Sequence, residues 1–329
     1  MAIQRVLVAG ASGYIGRAVA QDLGSRGHGV LAGIRELPAG HRPDQAVIDS
    51  MLRDASRINL PLQDPDSLTG IFARHRPDAV VSCLASRSGV ADDAWRIDYQ
   101  ANANLLSAAR AAGVRRFVLL SAICVQKPRL AFQFAKLRIE QELTESGLEF
   151  AIVRPTAFYK SLAGQVSRVR EGRPFLVFGD GELTACKPIS SADLAAFIAQ
   201  QVEAADAPNQ ILPIGGNEPA ITPLQQGKLL FELAGRPARF RHVPVRIFSL
   251  ALAGLNPLGM LSRRFRKKAE LARIGRYYAT ESMLLWNDQD QRYQADQTPG
   301  FGSDTLREFY QSVINHGDEA HQLGQHKLF

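Results

Sequence analysis

Seven residues near the start of the chain, Gly10-Ala11-Ser12-Gly13-Tyr14-Ile15-Gly16, constrain its fold more than any other stretch. They follow the apolar run Ile3 to Ala9 and open a segment, Tyr14 to Gly27, in which apolar residues recur at helical spacing. Strand, tight turn and helix are therefore expected in that order. Glycines in such a turn let the backbone bend sharply, approach a pyrophosphate and bring the helix against the sheet, while the helix N-terminus faces the anion. A lone glycine motif matches many chains by chance, but its place directly after the first strand points to a dinucleotide. Gly10, Ser12, Gly13, Tyr14, Ile15 and Gly16 are the expected contacts.

The alternation continues along the first half. Strands are expected at Val30 to Ile34, Ala79 to Leu84, Phe117 to Ser121 and Glu149 to Arg154, with helices at Asp66 to Arg74, Asp93 to Ala112 and Leu130 to Ser146. Strands rich in Val, Ile and Leu that alternate with helices require right-handed crossovers and a parallel sheet covered on both faces. The fold class is therefore α/β, a Rossmann-type doubly wound parallel sheet. The second half is less regular, with a helix near Tyr159 to Glu171, a strand at Pro174 to Phe178, a Gly-Asp-Gly turn at Gly179 to Gly181, a helix from Ser191 to Val202 and a strand at Gln210 to Ile214. At 329 residues the chain exceeds the size at which one core keeps growing. Residues 1–157 are assigned to the cofactor-binding domain, with 190–216 rejoining its sheet, and residues 158–189 and 217–329 to a smaller, mixed substrate-binding cap.

The net charge of +7 gives a field that attracts anions without choosing among them. Nucleic acid is not expected, because no nucleic-acid fold signature accompanies the charge. Cys83, Cys124 and Cys186 are odd in number, far apart and set in apolar stretches, which fits packed thiols in a reducing, cytoplasmic compartment and no metal site. No charged region, apolar core and cleavage site precede the first strand, so no signal peptide is expected. Ile247 to Leu261 carries no charge and is followed by Arg263, Arg264, Arg266, Lys267 and Lys268. It is too short to span a bilayer, and it reads either as the apolar wall of a pocket or as a peripheral membrane contact.

The second strand runs into Arg35, where NAD sites usually place an acid. A guanidinium there suits the 2′-phosphate of NADPH. In Leu60-Pro61-Leu62, Pro61 can make no acidic adenine contact, which leaves Leu62 to pack on the base. Cys83, Leu84, Ala85, Arg154, Pro155 and Thr156, at later strand ends, complete the expected cofactor contacts. The glycine spacing is that of extended and atypical short-chain dehydrogenase/reductases, whose usual catalytic pair is Tyr-x-x-x-Lys. Here Lys136 is present and Phe132 stands at the tyrosine position. Ser121 is a candidate accessory hydroxyl. A reaction that reduces a carbon-carbon double bond would not need the missing phenol.

Beyond that motif, Ser121-Ala122-Ile123-Cys124-Val125-Gln126-Lys127-Pro128, Phe132 to Lys136, Arg154 to Phe158 and Phe178-Gly179-Asp180-Gly181 resemble the divinyl chlorophyllide 8-vinyl-reductases of plants and photosynthetic bacteria. So do Ala185 to Ser190, Asn209 to Gly216, Ile274 to Met283 and Thr298 to Gly302, so the resemblance spans nearly the whole chain. It implies reduction of the 8-vinyl group of divinyl chlorophyllide or protochlorophyllide to ethyl by NADPH. Negative charge left by hydride would be delocalised by the macrocycle, so Lys136 is expected mainly to hold the nicotinamide ribose. Lys136, Ser121, a water, Tyr277 or Tyr278 are the candidate proton sources. For the pigment itself, Phe158, Tyr277 and Tyr278 are candidate stacking residues, and Lys160, Lys187 and Arg276 candidate partners of its carboxylate. Two other readings share the cofactor site: an isoflavone-reductase-like enzyme acting on another conjugated double bond, and a non-catalytic dinucleotide sensor.

Overall fold

The apolar runs of the first half become buried parallel strands. A computed structural model describes residues 4–34, 45–205 and 209–320. Its strands are β1 (Arg5–Ala9), β2 (Gly29–Ile34), β3 (Ser56–Asn59), β4 (Ala79–Ser82), β5 (Arg116–Leu120), β6 (Glu149–Pro155), β7 (Phe175–Phe178), β8 (Gln210–Gly216), β9 (Phe240–Val243), β10 (Leu285–Asn287), β11 (Arg292–Gln294) and β12 (Gly300–Phe301). Eight of them form one parallel sheet in the order β12-β8-β6-β5-β4-β1-β2-β3. Every side chain of Val6 to Ala9 is buried, because both faces are covered by helices. Val6 and Val8 pack with Val19, Leu23, Ile198 and Val202 on one face, and Leu7 packs with Phe72, Leu105 and Ile139 on the other.

The chain returns to the sheet at β8, where Val153 of β6 lies opposite Leu212. Strand β3 had no apolar signature because Ser-Arg-Ile-Asn lies on the outer edge, half in water. Strand β12 is two residues long and adds beyond β8.

Two expected helices are interrupted. The run from Asp93 to Ala112 consists of a turn at Ala91–Ala94, a π-helical segment at Trp95–Ala101 and an α-helix at Asn102–Ala111. Such widened turns gather at functional sites, and this one carries Asp98. The stretch from Tyr159 to Glu171 divides into Tyr159–Leu162, a 3-10 turn at Ala163–Gln165 and Val166–Arg170.

Above the carboxyl ends of the strands, β7 pairs in parallel with β9, and Phe175 and Val177 pack with Leu230, Phe231, Leu306 and Tyr310. A further cluster joins Cys124, Phe132 and Ala135 from the main sheet's side to Cys186, Tyr277 and Met283. The charge-free segment is the helix Arg246–Leu261, folded back along the helix Arg263–Thr280. No helix among the described residues is long and apolar enough to cross a membrane. The three cysteines are free, with Cys124 and Cys186 buried and Cys83 partly so.

Candidate active site

The glycine turn is held by sterics. Gly10 has φ +79°, and a Cβ on it would lie 3.1 Å from the Cys83 carbonyl oxygen at the end of β4. A Cβ on Gly16 would lie 2.2 Å from the Gly10 carbonyl oxygen, so the helix Tyr14–Ser25 can start this close to the strand only with glycine there. That helix has no side-chain cap and no acid in its first turn, which leaves its N-terminal N–H groups and their partial positive charge for an anion. These features fit a dinucleotide pyrophosphate. Leu62 packs partly against the sheet's lower core, and its carbonyl accepts from Asn104 Nδ2 at 2.8 Å. Arg35 lies outside the described residues.

The chemistry-bearing side chains meet at the carboxyl ends of β4, β5 and β6, where ligands of open α/β sheets bind. The helix Ala131–Thr144 points Lys136 inward, and its ammonium lies 3.2 Å from Asp98 Oδ1. Asp98 is 1% exposed, and its Oδ1 also accepts from the Ser86 N–H at 3.3 Å. Its Oδ2 is buried without a hydrogen-bond partner, and the residue belongs to the cavity lining. A buried, unsatisfied carboxylate oxygen beside a lysine suits a ligand hydroxyl such as that of a ribose. Below it, Asn102 donates to the carbonyls of Ile97 and Asp98 at 3.2 and 3.0 Å and accepts from Ser82 Oγ at 2.5 Å, pinning the π-helical segment.

Ser121 and Arg154 are committed elsewhere. Ser121 Oγ donates to the buried carboxylate of Glu140, and the Arg154 guanidinium pairs with the same carboxylate. Arg154 does not line the cavity, because its charge neutralises Glu140. Cys83 and Cys186 are inert, since burial pushes both thiols up to about 12, the Lys136 charge opposing only part of the rise at Cys83.

Between the main sheet and the elements above the carboxyl ends of its strands lies a cavity of about 750 Å³. Of the sequence-derived residues, Ala85, Ser121, Lys136, Pro155, Thr156, Phe158 and Tyr278 line it, and so does Phe132. Tyr278 faces Cys124. Burial pushes its hydroxyl well above the usual phenol range, with Cys124 and Tyr277 adding to the rise, so it stays protonated.

The structure takes four expected pigment contacts off the wall. Tyr277 is buried and donates its hydroxyl to the carbonyls of Cys124 and Lys127, at 3.0 and 3.2 Å. Lys187 Nζ donates to the Thr298 carbonyl at 3.0 Å, the Lys160 ammonium lies 4.8 Å from the Tyr14 ring centre, and Arg276 is exposed on the outer side of its helix. The tertiary fold brings Arg87, Arg168 and Arg173 to the cavity in their stead. Asp98 and these arginines went unread in the sequence. Nothing in the sequence set Asp98 apart from the other polar residues of its helix, among them Arg96, Gln100, Asn102 and Asn104.

A family described as NAD(P)H-binding matches residues 10–205. Over 333 aligned residues the chain is 47% identical to the divinyl chlorophyllide a 8-vinyl-reductase, chloroplastic, of Zea mays, covering 98% of this chain and 82% of that protein. The fold is similar to a UDP-glucose 4-epimerase of Thermotoga maritima, with TM-score 0.68, 20% identity and coverage of 96% and 99% of the two chains. It is also similar to an NADPH-dependent quinone oxidoreductase from Escherichia coli complexed with NADPH, with TM-score 0.67, 18% identity and coverage of 94% and 100%.

Proposed function

Because the chain belongs to the divinyl chlorophyllide a 8-vinyl-reductase family, we propose that it reduces the 8-vinyl group of a divinyl chlorophyllide or protochlorophyllide to ethyl, with NADPH as reductant. When bound, the reduced nicotinamide supplies the hydride. The observation that carries the reading is the cavity of about 750 Å³ that joins Lys136 to an apolar cap wall with Phe132 at the usual tyrosine position. A site without that phenol has no proton donor four residues before Lys136, where a Tyr-x-x-x-Lys pair protonates an alkoxide. It retains what a conjugated alkene needs, a largely apolar pocket and a cation that orients the cofactor.

Each residue then has a defined task. Gly10 to Gly16 and the helix behind them hold the pyrophosphate, and Arg35 selects the 2′-phosphate. Lys136 and Asp98 hold the ribose hydroxyls, the lysine donating and the carboxylate accepting. Phe158 and Tyr278 bracket the macrocycle, and Arg87, Arg168 or Arg173 meets its propionate. Tyr278 supplies the proton to the carbon next to the one that receives hydride. The hydroxyls of Ser121 and Tyr277 are spent on Glu140 and on backbone carbonyls, which supports that choice. The three free cysteines fit a reducing compartment.

The test is anaerobic incubation of the protein with divinyl chlorophyllide and NADPH or NADH, following the Soret band and the product mass. Gain of two hydrogens, faster with NADPH, is expected. Tight NADPH binding with unchanged pigment would overturn the reading. Tyr278→Phe should keep pigment affinity and slow single-turnover reduction, and an unchanged rate would remove Tyr278 as the donor.

A further inference from the structure

The helix Arg246–Leu261 is apolar on two faces. One packs on its neighbour: Leu252 is buried, and a Cβ on Gly275 would lie 2.8 Å from the Phe248 ring, which itself meets the tilted ring of Phe178 of the cavity at 5.1 Å between centroids. The opposite face carries Ile247, Leu250, Ala251, Gly254, Leu258 and Leu261, spaced three and four apart and all exposed. Leu250 is 74% exposed, and Met260 and Leu261 at the tip are 89% and 86% exposed. A patch of this kind on a protein surface marks a contact with something apolar.

The charges around it say what that contact is. Directly after the tip come Arg263, Arg264, Arg266, Lys267 and Lys268, all exposed. The only carboxylate between Arg246 and Arg276 is Glu270, and it accepts the Ala91 N–H at 2.8 Å, capping another helix. The patch is thus an uncharged apolar face rimmed by cations, with Glu270 the one acid in the same stretch of chain. A helix of 16 residues is about 24 Å long, short of the hydrocarbon thickness of about 30 Å, so it suits lying in an interface better than crossing one.

We propose that this helical hairpin docks the protein on an anionic lipid bilayer, with Ile247, Leu250, Met260 and Leu261 entering the acyl boundary and the Arg263 to Lys268 cluster meeting headgroup phosphates. Ile274, Tyr278 and Ala279 at the hairpin's base line the cavity. One helix pair therefore contributes both the lipid-facing surface and a wall of the ligand site, and an apolar substrate dissolved in the bilayer can enter where the hairpin touches it. Docking itself holds whatever the cavity binds; the entry route rests on the proposed activity.

The experiment is flotation of the full chain with phosphatidylcholine vesicles and with vesicles that also contain phosphatidylglycerol, at low and high salt. Flotation with the anionic vesicles, weakened by salt, is expected. The triple variant Leu250→Glu, Met260→Glu, Leu261→Glu should float about tenfold less or worse, and Lys267→Glu with Lys268→Glu should lose the preference for anionic lipid. An unchanged circular dichroism spectrum and NADPH affinity establish that the variants are folded. Three outcomes would overturn the proposal: a wild-type chain that does not float, a triple variant that floats equally, or a wild-type dimer without flotation that the triple variant dissolves. No pigment is used, so the result is independent of whether the reductase reading stands.

Discussion

Replacing Lys136 by methionine separates what the residue does for folding from what it does for the cofactor. Its side chain is 10% exposed and that of Asp98 is 1% exposed, with 3.2 Å between their charged atoms. Methionine keeps most of the volume, so little of the effect comes from a cavity. What changes is the charge: the Asp98 carboxylate loses its partner in apolar surroundings, and breaking a buried pair from one side costs about 3–5 kcal/mol. Pairing the change with Asp98→Asn removes the stranded carboxylate and should leave a deficit of about 1 kcal/mol, the net worth of an ordinary hydrogen bond. Urea denaturation of the cofactor-free protein measures both values. NADPH titration reads the other role. Losing one charge-assisted hydrogen bond to the ribose is worth about 1.5–3 kcal/mol, which weakens NADPH about 10- to 150-fold in the single variant and at least as much in the double variant, where the Asp98 carboxylate is lost as an acceptor too. Equal destabilisation of the two variants would refute the electrostatic account of the pair. Unchanged NADPH affinity with single-turnover reduction abolished would refute the positioning role and move Lys136 into the chemical step.

Other outcomes follow from the same geometry. Gly16→Val puts side-chain carbon where 2.2 Å already separates a Cβ from the Gly10 carbonyl, so NADPH binding should fall below detection in a fluorescence titration; retained affinity would take this turn out of the cofactor site. Arg168→Ala or Arg173→Ala should raise KM for the ionised pigment about tenfold, equivalent to ~1.4 kcal/mol, with kcat nearly unchanged. The methyl ester of the pigment should abolish that difference, and an equal effect on the ester would show that the arginines do not meet the carboxylate. Alkali should destabilise the protein through Cys186. Its thiol is raised by burial from 9 to about 12, so the folded state favours the neutral form. The stability is therefore full below pH 9 and is lost as pH rises toward 12, at about 1.4 kcal/mol per unit, or ~3 kcal/mol by pH 11. Thermal melts across that range should fall less steeply in Cys186→Ala, and parallel curves would remove the thiol as a cause.

The parts legible in the chain are those decided by neighbours along it. Val6 to Ala9, Val30 to Ile34 and Phe117 to Leu120 read as strands because burial on both faces leaves no polar position in them, and the glycine turn reads as a cofactor loop because its sterics are local. Lys136 and Phe132 were found from a four-residue spacing within one helix. The interrupted helix at Trp95–Ala101 was not legible, since the side-chain hydrogen bonds that hold it run from Asn102, which is itself fixed by Ser82 on β4. Strand β3 was missed because an outer edge strand needs no apolar face.

Sequence alone thus determined the layered α/β fold, the dinucleotide turn, the lysine without its tyrosine, and the family to which the chain belongs. Tertiary structure alone decided that Asp98 faces Lys136, that Glu140 engages Ser121 and Arg154, that Tyr278 and not Tyr277 reaches the cavity, and that the cations joining Lys136 there are Arg87, Arg168 and Arg173 rather than Lys160, Lys187 and Arg276. The division has a physical cause. Periodicity and turn sterics act over a few residues and are written in order along the chain, whereas a buried charge finds its partner across distances in sequence that only the packing of separate elements can close.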